Sequence, residues 1–435
     1  MPHLLRSLLF LALLPTLAFA QAPKVKLGVD VLRESKFAAL ANKRIGLIVN
    51  PASVAGDLTP TVDVLRAAPN VQLVALFGPE HGVYGDVYAG DKVPDMVDPR
   101  TGIPIFSLYG KTKKPTPEML KGIDALVFDL QDLGARSYTY VSTLRDVIAG
   151  CAENNVELII LDRPNPLGGN RIEGGPVAPG FESHVSYIPT PYLHGMTMGE
   201  LAMLLRDTYS PTFQKLTVVK MAGWKRDMTW NDTGLQWVPT SPHIPSADTV
   251  PAYVATGILG ELGVLSNGVG YTLPFQIVGA PFLSADALAD ALNTHYASPA
   301  HAYAKSPATR PSDVPTSPAF PDPGPSKPAG LYFQPIRFRP FYATFEKTPC
   351  QGVQLRIDPK TPENLTEINF RLLQTLNAPH LLALAPKRHN MFDKVTGSPQ
   401  ARELLQQNAD LTPLFNQWRT YSESFRTSRQ KYLLY

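Results

Sequence analysis

The chain has 435 residues, of which 44% are hydrophobic and 18% are charged. This length predicts two or three domains with substantial cores, and the hydrophobic share excludes a disordered chain. The formal net charge of +3 is too balanced for a protein built around nucleic-acid phosphates, so no nucleic-acid partner is expected. Two cysteines, Cys151 and Cys350, exclude a disulfide scaffold, and we predict that both are buried thiols.

The first 20 residues have the pattern of a signal peptide. Arg6 precedes an apolar stretch over residues 8–17, and the small-x-small sequence Ala18-Phe19-Ala20 precedes Gln21. The apolar stretch is too short for a membrane span, and no later stretch reaches the roughly 18 apolar residues that a span needs. We therefore predict cleavage after Ala20, a periplasmic or secreted protein, and no stable membrane insertion; the alternative is a retained N-terminal anchor.

From residue 44 to residue 221, short apolar runs alternate with amphipathic stretches. Apolar runs separated by helical patterns are typical of βαβ units around a buried parallel sheet. The strands are predicted at 45–49, 73–77, 103–108, 125–129, 158–161 and 216–221. The helices are predicted at 60–67, 117–121, 142–154 and 197–207, the last one opened by a Thr197-to-Glu200 capping box.

The pattern changes after about residue 223. Residues 306–329 contain eight prolines in 24 residues, which excludes a helix or a central strand there. Strands are predicted at 331–345 and 352–357, and helices at 362–376, 400–407 and 411–421. We predict an α/β fold with a parallel-sheet domain over residues 21–245 and a smaller α+β domain over residues 246–435.

Chemically versatile side chains follow the predicted strands. In an open parallel sheet, ligands bind beyond the carboxyl ends of the strands, so these side chains are expected to surround one pocket. Glu80 and His81 stand between Pro79 and Gly82 after the second strand, where a purely structural role is hardest to argue. The other candidates are Asn50, Asp129, Gln131, Asp132, Arg136, Tyr138, Tyr140, Asp162, Arg163 and Asn165.

Several of these residues also have structural interpretations. Asp129 could cap a turn, Asp162 and Arg163 could form a local ion pair, and the two tyrosines could be core aromatics. No nucleophile elbow, zinc-binding H-E-x-x-H, P-loop or well-placed dinucleotide fingerprint occurs, so we predict no metal and no cofactor. The remaining chemistry is that of carboxylates supported by Arg, Tyr and His, as in a glycoside hydrolase.

These motifs resemble those of bacterial exo-β-N-acetylmuramidases of the NamZ type, long catalogued as a domain of unknown function. The matching segments are FGPEHG at 77–82, SLYG at 107–110, DLQDLGAR at 129–136, YTY at 138–140, DRPNP at 162–166, HGMT at 194–197, PF at 274–275, GAP at 279–281 and YLLY at 432–435. The resemblance implies a Rossmann-like domain followed by a smaller domain, with the active site in the cleft between them. It also implies release of N-acetylmuramic acid from the non-reducing ends of peptidoglycan fragments.

The resemblance places the glutamate of the family's PEHG motif on Glu80. A second-domain motif matches at Glu261, Ser266, Gly268 and Gly270. The residues at four other positions of that region depart from the family pattern: Val264, Val269, Tyr271 and Gln276.

The predicted mechanism uses Glu80 as general acid, with His81 or Asp132 orienting it. The second carboxylate is Asp132, Asp162 or Glu261, and Arg136 or Arg163 grips the lactyl carboxylate of the sugar. The other predicted substrate-binding residues are Asn50, Gln131, Tyr138, Tyr140, Asn165 and His194. Two alternatives stay open: a protein that binds cell-wall sugars without cleaving them, and a hydrolase of a different sugar or sugar ester.

Overall fold

The structure is a computed structural model that describes residues 25–297 and 330–435. The predicted signal peptide and the proline-rich stretch 306–329 lie outside the described residues. Within the described part of the chain, no helix combines the length and the apolar character needed to cross a membrane.

The first part of the chain forms a seven-stranded sheet. Its strand order is β3-β4-β2-β1-β5-β6-β7, and every neighbouring pair is parallel except β3 with β4. The strands are β1 (Lys43–Ile48), β2 (Val71–Gly78), β3 (Met96–Val97), β4 (Pro104–Ser107), β5 (Ala125–Phe128), β6 (Glu157–Leu161) and β7 (Leu216–Val219). Without the short edge strand β3, the order reads 3-2-1-4-5-6, which is the Rossmann order. The six predicted strands and the α/β fold class are confirmed.

Helices cover the faces of this sheet. They are α1 (Gly28–Glu34), α2 (Thr61–Arg66), α3 (Tyr140–Asn154) and α4 (Met198–Tyr209). The capping box at α4 is confirmed, because Thr197 Oγ1 accepts from the Glu200 backbone N–H while Glu200 Oε2 accepts from that of Thr197. The helix predicted at 117–121 is wrong: these residues form only a turn, which Gly122 ends with a φ of +74°.

The second part of the chain combines a small antiparallel sheet with helices. Strands β8 (Ile277–Ala280), β9 (Leu331–Phe338) and β10 (Cys350–Ile357) pair in the order β8-β10-β9. The helices are α5 (Thr249–Gly260), α6 (Ala285–Ala297), α7 (Leu365–Thr375), α8 (Ala378–Leu384), α9 (His389–Thr396), α10 (Gln400–Gln406) and α11 (Thr412–Ser428). The predicted strand at 331–345 stops at Phe338, shortly before Pro340, which cannot donate a hydrogen bond to a ladder.

The two parts share a continuous apolar core. The largest cluster of buried side chains includes Phe128 of β5, Leu144 of α3, Ile258 of α5 and Phe370 of α7. A second cluster fills the other face of the sheet beneath α1 and α2. Cys151 and Cys350 are buried free thiols, as predicted. Because α5 and α7 pack on the same core as the sheet, the two parts are held against each other. A site at their boundary would therefore have rigid walls.

Candidate active site

A cleft of about 600 Å³ opens between the two parts of the chain. This volume lies within the range of ordinary small-molecule sites. The first part lines it with Glu80, His81, Tyr109, Tyr138, Thr139 and Tyr140, and the second part with Tyr253, Glu261, Asn267, Val269, Phe275, Tyr342 and Arg388. Of the predicted site residues, the structure therefore brings Glu80, His81, Tyr138, Tyr140 and Glu261 to one cavity.

Glu80 lies on the turn that follows β2. The chain reverses there through two left-handed residues, His81 at φ +72° and Gly82 at φ +77°. His81 is fixed by a 2.8 Å contact between Nδ1 and the Val87 carbonyl oxygen. Glu80 Oε1 accepts from the Gly90 N–H at 2.8 Å, and Oε2 accepts from the Thr139 hydroxyl at 2.5 Å. The carboxylate is thus held in one orientation at the edge of the cavity.

Tyr109, which follows β4, lies beside Glu80. Burial, and then the charge of the Glu80 carboxylate, raise the pKa of Tyr109 well above its usual value. The phenol therefore stays protonated and can donate toward Glu80. Sequence analysis placed Tyr109 at a strand end but did not select it, although the rule that selected Glu80 applies equally to it.

Glu261 enters the cleft from the end of α5. Burial raises the pKa of Glu261, and the positive charge of Arg388 opposes that increase. A carboxyl group with a raised pKa in a cleft is suited to proton donation. The structure thus places a second carboxyl group in the same cavity as Glu80.

Aromatic rings form one wall of the cleft. Tyr138 packs edge-on against Tyr253 with ring centroids 6.0 Å apart, and Tyr253 packs edge-on against Phe275 at 4.9 Å. The hydroxyls of Tyr138 and Tyr140 donate to Thr240, which fixes the orientation of both rings in this wall. Such a wall is suited to the apolar face of a sugar.

Asn50 supports this wall instead of facing the cleft. Its side-chain amide donates to the Tyr140 hydroxyl at 2.9 Å and to the Thr240 carbonyl at 3.0 Å, and its Oδ1 accepts from the Ala52 N–H. The structure therefore places Asn50, a predicted substrate contact, behind the wall, where its amide group is engaged by Tyr140, Thr240 and Ala52.

The structure does not place Arg163, a predicted substrate ligand, at the cleft. Its guanidinium forms a two-pronged ion pair with Asp129, at 2.6 and 2.9 Å, and both side chains are almost fully buried. Asp129 also accepts from the Thr61 hydroxyl, and Arg163 also donates to the Val54 carbonyl. With these partners the pair ties β5 and β6 to the loop after β1, and Arg163 does not line the cleft.

Arg136, the other predicted ligand of the lactyl carboxylate, likewise does not line the cleft. It is fully buried, and Nη1 donates to the carbonyls of Gly175 and Thr190 while Nη2 donates to that of Thr396. Because Thr396 ends α9, this guanidinium joins the two parts of the chain behind the cleft. Burial lowers the pKa of Arg136 to about 10, which still leaves it charged at neutral pH.

Asp162, one of the candidates for the second carboxylate, lies in the buried hydrogen-bond network and does not line the cleft. Its oxygens accept from the Thr197 hydroxyl, the Gly199 N–H and the Tyr435 hydroxyl, and the side chain is fully buried. Burial raises its pKa to about 6, against the opposing effect of these hydrogen bonds. Asp162 anchors the start of α4 and the last residue of the chain.

The remaining predicted residues form a buried polar group that does not line the cleft. His194 Nε2 lies 3.5 Å from Asp132 Oδ2, which also accepts from the Gly134 N–H at 2.7 Å. Gln131 donates to the carbonyls of Asp132 and Pro164, and Asn165 donates to that of Met196. Their contacts hold the loops after β5 and β6 together, so direct binding of substrate by Gln131, Asp132, Asn165 or His194 is not supported by their placement.

The divergent positions of the second part fall at and around the cleft. Val269 lines the cavity, whereas Tyr271 packs against Phe338 and Phe341, and Gln276 donates to the Thr249 hydroxyl. Val264 packs against the large core. Among residues 25–297 and 330–435, no three or more His, Cys, Asp or Glu side chains are grouped as metal ligands.

Sequence reasoning missed Thr139, Tyr253, Tyr342 and Arg388 as lining residues. Thr139 sits between two selected tyrosines and could have been found from that position. The other three come from segments that fold back from the second part of the chain, and no local pattern marks them.

Comparisons with known proteins give matches over both parts of the chain. The N-terminal and C-terminal domain profiles of exo-β-N-acetylmuramidase NamZ match residues 45–248 and 252–435. The chain is 38% identical over 416 residues to a peptidoglycan β-N-acetylmuramidase NamZ of Bacillus subtilis, covering 96% of this chain and 92% of that protein.

Two crystal structures of DUF1343 family proteins from Bacteroides fragilis are also similar. One has a TM-score of 0.81 at 43% identity and the other a TM-score of 0.70 at 25% identity. Each comparison covers 95% of this chain and 99% of the solved chain, so the similarity includes both parts and the cleft between them.

Proposed function

The chain belongs to the exo-β-N-acetylmuramidase NamZ family, and we propose that it is a glycoside hydrolase that releases N-acetylmuramic acid from the non-reducing ends of peptidoglycan fragments. The observation that carries this proposal is the cleft itself, where Glu80 and Glu261 face one cavity of about 600 Å³ with an aromatic wall. Two carboxyl groups beside a sugar-sized cavity are the minimal equipment for glycoside hydrolysis.

In the proposed mechanism the two carboxyl groups have different roles. Burial raises the pKa of Glu261, which favours it as the donor of a proton to the leaving oxygen. Glu80 accepts hydrogen bonds from Gly90 and Thr139, which orient its two oxygens at the edge of the cavity. Glu80 is therefore placed to act as base or nucleophile, the reverse of the role expected from the sequence.

We also propose that the protein acts outside the cytoplasm, in the periplasm or after secretion. The support is the signal-peptide pattern of residues 1–20. Peptidoglycan lies in that compartment, so the proposed substrate and the proposed location are consistent with each other.

Product analysis tests the function directly. Purified protein is incubated with muropeptide-derived glycan fragments, and the released monosaccharide is identified by mass spectrometry. The proposal predicts free N-acetylmuramic acid. Release of another sugar would instead support a hydrolase of different specificity, and tight fragment binding with no product would support a binding protein.

A further inference from the structure

A second cavity, of about 630 Å³, lies beside the cleft. Its lining is mostly basic and aromatic, with Lys113, Lys114, Arg145, His184, Tyr187 and Tyr209 around the single carboxylate of Asp146. Neither the predicted mechanism nor the proposed function uses it.

The planar guanidinium of Arg145 packs against two tyrosine rings in this cavity. Its guanidinium carbon lies 3.4 Å from the centroid of the Tyr187 ring and 4.2 Å from that of Tyr209. Nη1 is buried and has no hydrogen-bond partner in the described part of the chain. A buried guanidinium nitrogen without an acceptor is costly, so this arrangement indicates an acceptor that arrives with a ligand.

His184 presents a second nitrogen of the same kind. Its Nε2 is buried and lacks a hydrogen-bond partner among residues 25–297 and 330–435. Burial, and then the charge of Lys113, lower the pKa of His184 to about 4, so the ring is neutral at physiological pH. A neutral imidazole can still donate one hydrogen bond to an anion.

The charges around the cavity favour an anion. Lys114 is paired with Glu153 at 2.6 Å, whereas Lys113 lies over the Tyr109 ring at 4.9 Å from its centroid. Within this cavity Arg145 and Lys113 face the Asp146 carboxylate, whose pKa is raised by burial, while Glu80, whose charge also acts on Lys113, lines the neighbouring cleft. The balance of charge among Arg145, Lys113 and Asp146 is positive.

Tyr109 connects this basic cavity to the cleft. It lines the cleft beside Glu80, and its ring lies 5.5 Å from the His184 ring, centroid to centroid. Both Lys113 and His184 are close enough to Glu80 to feel its charge. A substituent on a sugar bound at Glu80 has to extend past only one aromatic ring to reach Lys113.

We propose that the basic cavity is a subsite for a carboxylate carried by the muramyl unit of the substrate. This inference rests on the proposed function. It replaces Arg136 and Arg163, which line neither the cleft nor the basic cavity, with Arg145, which lines the basic cavity and whose Nη1 has no hydrogen-bond partner in the described part of the chain. The carboxylate has two sources: the lactyl group itself, or a peptide joined to the lactyl group through an amide bond.

Binding measurements test the subsite independently of turnover. Calorimetry compares N-acetylmuramic acid, N-acetylmuramyl dipeptide and N-acetylglucosamine on the full protein and on three variants: Arg145→Gln, Lys113→Gln and, as the charge-matched control, the exposed Lys111→Gln. Loss of one charged hydrogen bond is expected to weaken binding of a carboxylate-bearing ligand about 10-fold to 100-fold. Binding of N-acetylglucosamine, which has no carboxylate, and all binding to Lys111→Gln are expected to stay within twofold of wild type.

The ligand that loses affinity identifies the source of the carboxylate. Weakening confined to N-acetylmuramic acid assigns the lactyl group, and weakening confined to the dipeptide assigns the peptide. Unchanged affinity for both, or equal weakening for N-acetylglucosamine, overturns the subsite. Lys113→Gln changes an exposed side chain and keeps the test valid even where Arg145→Gln fails to fold.

The proposed function can fail separately from the subsite. If the wild-type protein binds muramyl ligands through Arg145 but releases no N-acetylmuramic acid, the subsite proposal stands and the hydrolase proposal fails. If the wild-type protein releases this sugar and the Arg145→Gln variant binds muramyl ligands as tightly as wild type, the hydrolase proposal stands and the subsite proposal fails.

Discussion

The carboxyl edge of the seven-stranded sheet carries two groups of charged side chains that differ in their surroundings. Glu80 is 8% exposed, while Asp129 and Asp162 are 0% exposed, so burial separates them only slightly. The hydrogen-bond partners separate them clearly. Both oxygens of Asp129 are matched by Arg163, and Asp162 accepts from the start of α4 and from the last residue of the chain, whereas Glu80 borders an open cavity.

This difference shows that residue type and strand-end position do not assign function by themselves. Where the chain supplies enough donors and acceptors, a charged side chain at the sheet edge stabilises the fold. Where one side of it faces a cavity, the same chemistry is available to a ligand. Substitutions in the two groups should therefore affect different quantities, namely activity in the cleft and folding stability in the network.

The largest effect in the cleft besides that of Glu80 is expected at Glu261. Replacing a general acid with an amide reduces kcat by about 10²-fold to 10⁴-fold. A proton donor acts only while protonated, so wild-type activity should fall as the pH rises through the raised pKa of Glu261. A pH profile of kcat/KM for Glu261→Gln should lack this alkaline limb. Persistence of the limb would assign the proton to another group.

The largest effect in the network is expected at Arg163. Arg163→Gln leaves the buried Asp129 carboxylate without its cation, which costs about 3–5 kcal/mol of unfolding free energy. Denaturant titration should also show that the double variant Asp129→Asn/Arg163→Gln recovers part of this loss. The exposed pair Arg206–Asp207 is the control, and Arg206→Gln should change stability by less than about 1 kcal/mol. Equal losses of unfolding free energy for Arg163→Gln and Arg206→Gln would contradict the structural role of the buried pair.

A smaller effect that depends on pH is expected at Asp162. Its pKa is raised from 3.8 to about 6 in the folded protein, so it contributes stability below pH 3.8 that is lost as the pH rises through 6. The stability difference between wild type and Asp162→Asn should therefore shrink between pH 4 and pH 7, by at most about 3 kcal/mol. Chemical denaturation at several pH values measures this difference in unfolding free energy. A difference that grows with pH would show that the pKa of Asp162 is not raised in the folded protein.

The smallest effect is expected at the last residue. The Tyr435 hydroxyl donates to Asp162 and accepts from the Met221 N–H. Tyr435→Phe removes both contacts and should cost about 1–2 kcal/mol of unfolding free energy. Tyr432→Phe serves as the matched control with little expected change. A Tyr435→Phe variant as stable as that control would show that this anchor contributes nothing measurable.

The parallel sheet could be predicted because its strands are short apolar runs with clear helical patterns between them. The helices α5 and α6 were not predicted. Nearly every residue of α5 is buried, so it has no polar face to reveal a helical period.

The site could be predicted only in part. Glu80 was found because a Pro-Glu-His-Gly turn has little structural purpose, and Glu261 because of a family resemblance. Arg136 and Arg163 were assigned to the substrate because their true partners could not be identified from the sequence. Thr396, whose carbonyl accepts from Arg136, is distant in the sequence. Asp129, which pairs with Arg163, is itself a candidate site residue. Only the three-dimensional structure shows whether each donor and acceptor of a side chain has a hydrogen-bond partner. Arg145 was therefore recognised as a candidate only after its neighbours were known.

The most direct test of the account is Glu80→Gln, measured for both N-acetylmuramic acid release and unfolding free energy. The account predicts that release falls by about 10²-fold to 10⁴-fold. Stability should change by no more than about 2 kcal/mol, because glutamine keeps one acceptor oxygen and the altered contacts are those with Gly90, Thr139 and Tyr109. Wild-type turnover by a folded Glu80→Gln protein would contradict the central claim that the cleft beside Glu80 is where the glycosidic bond is cut.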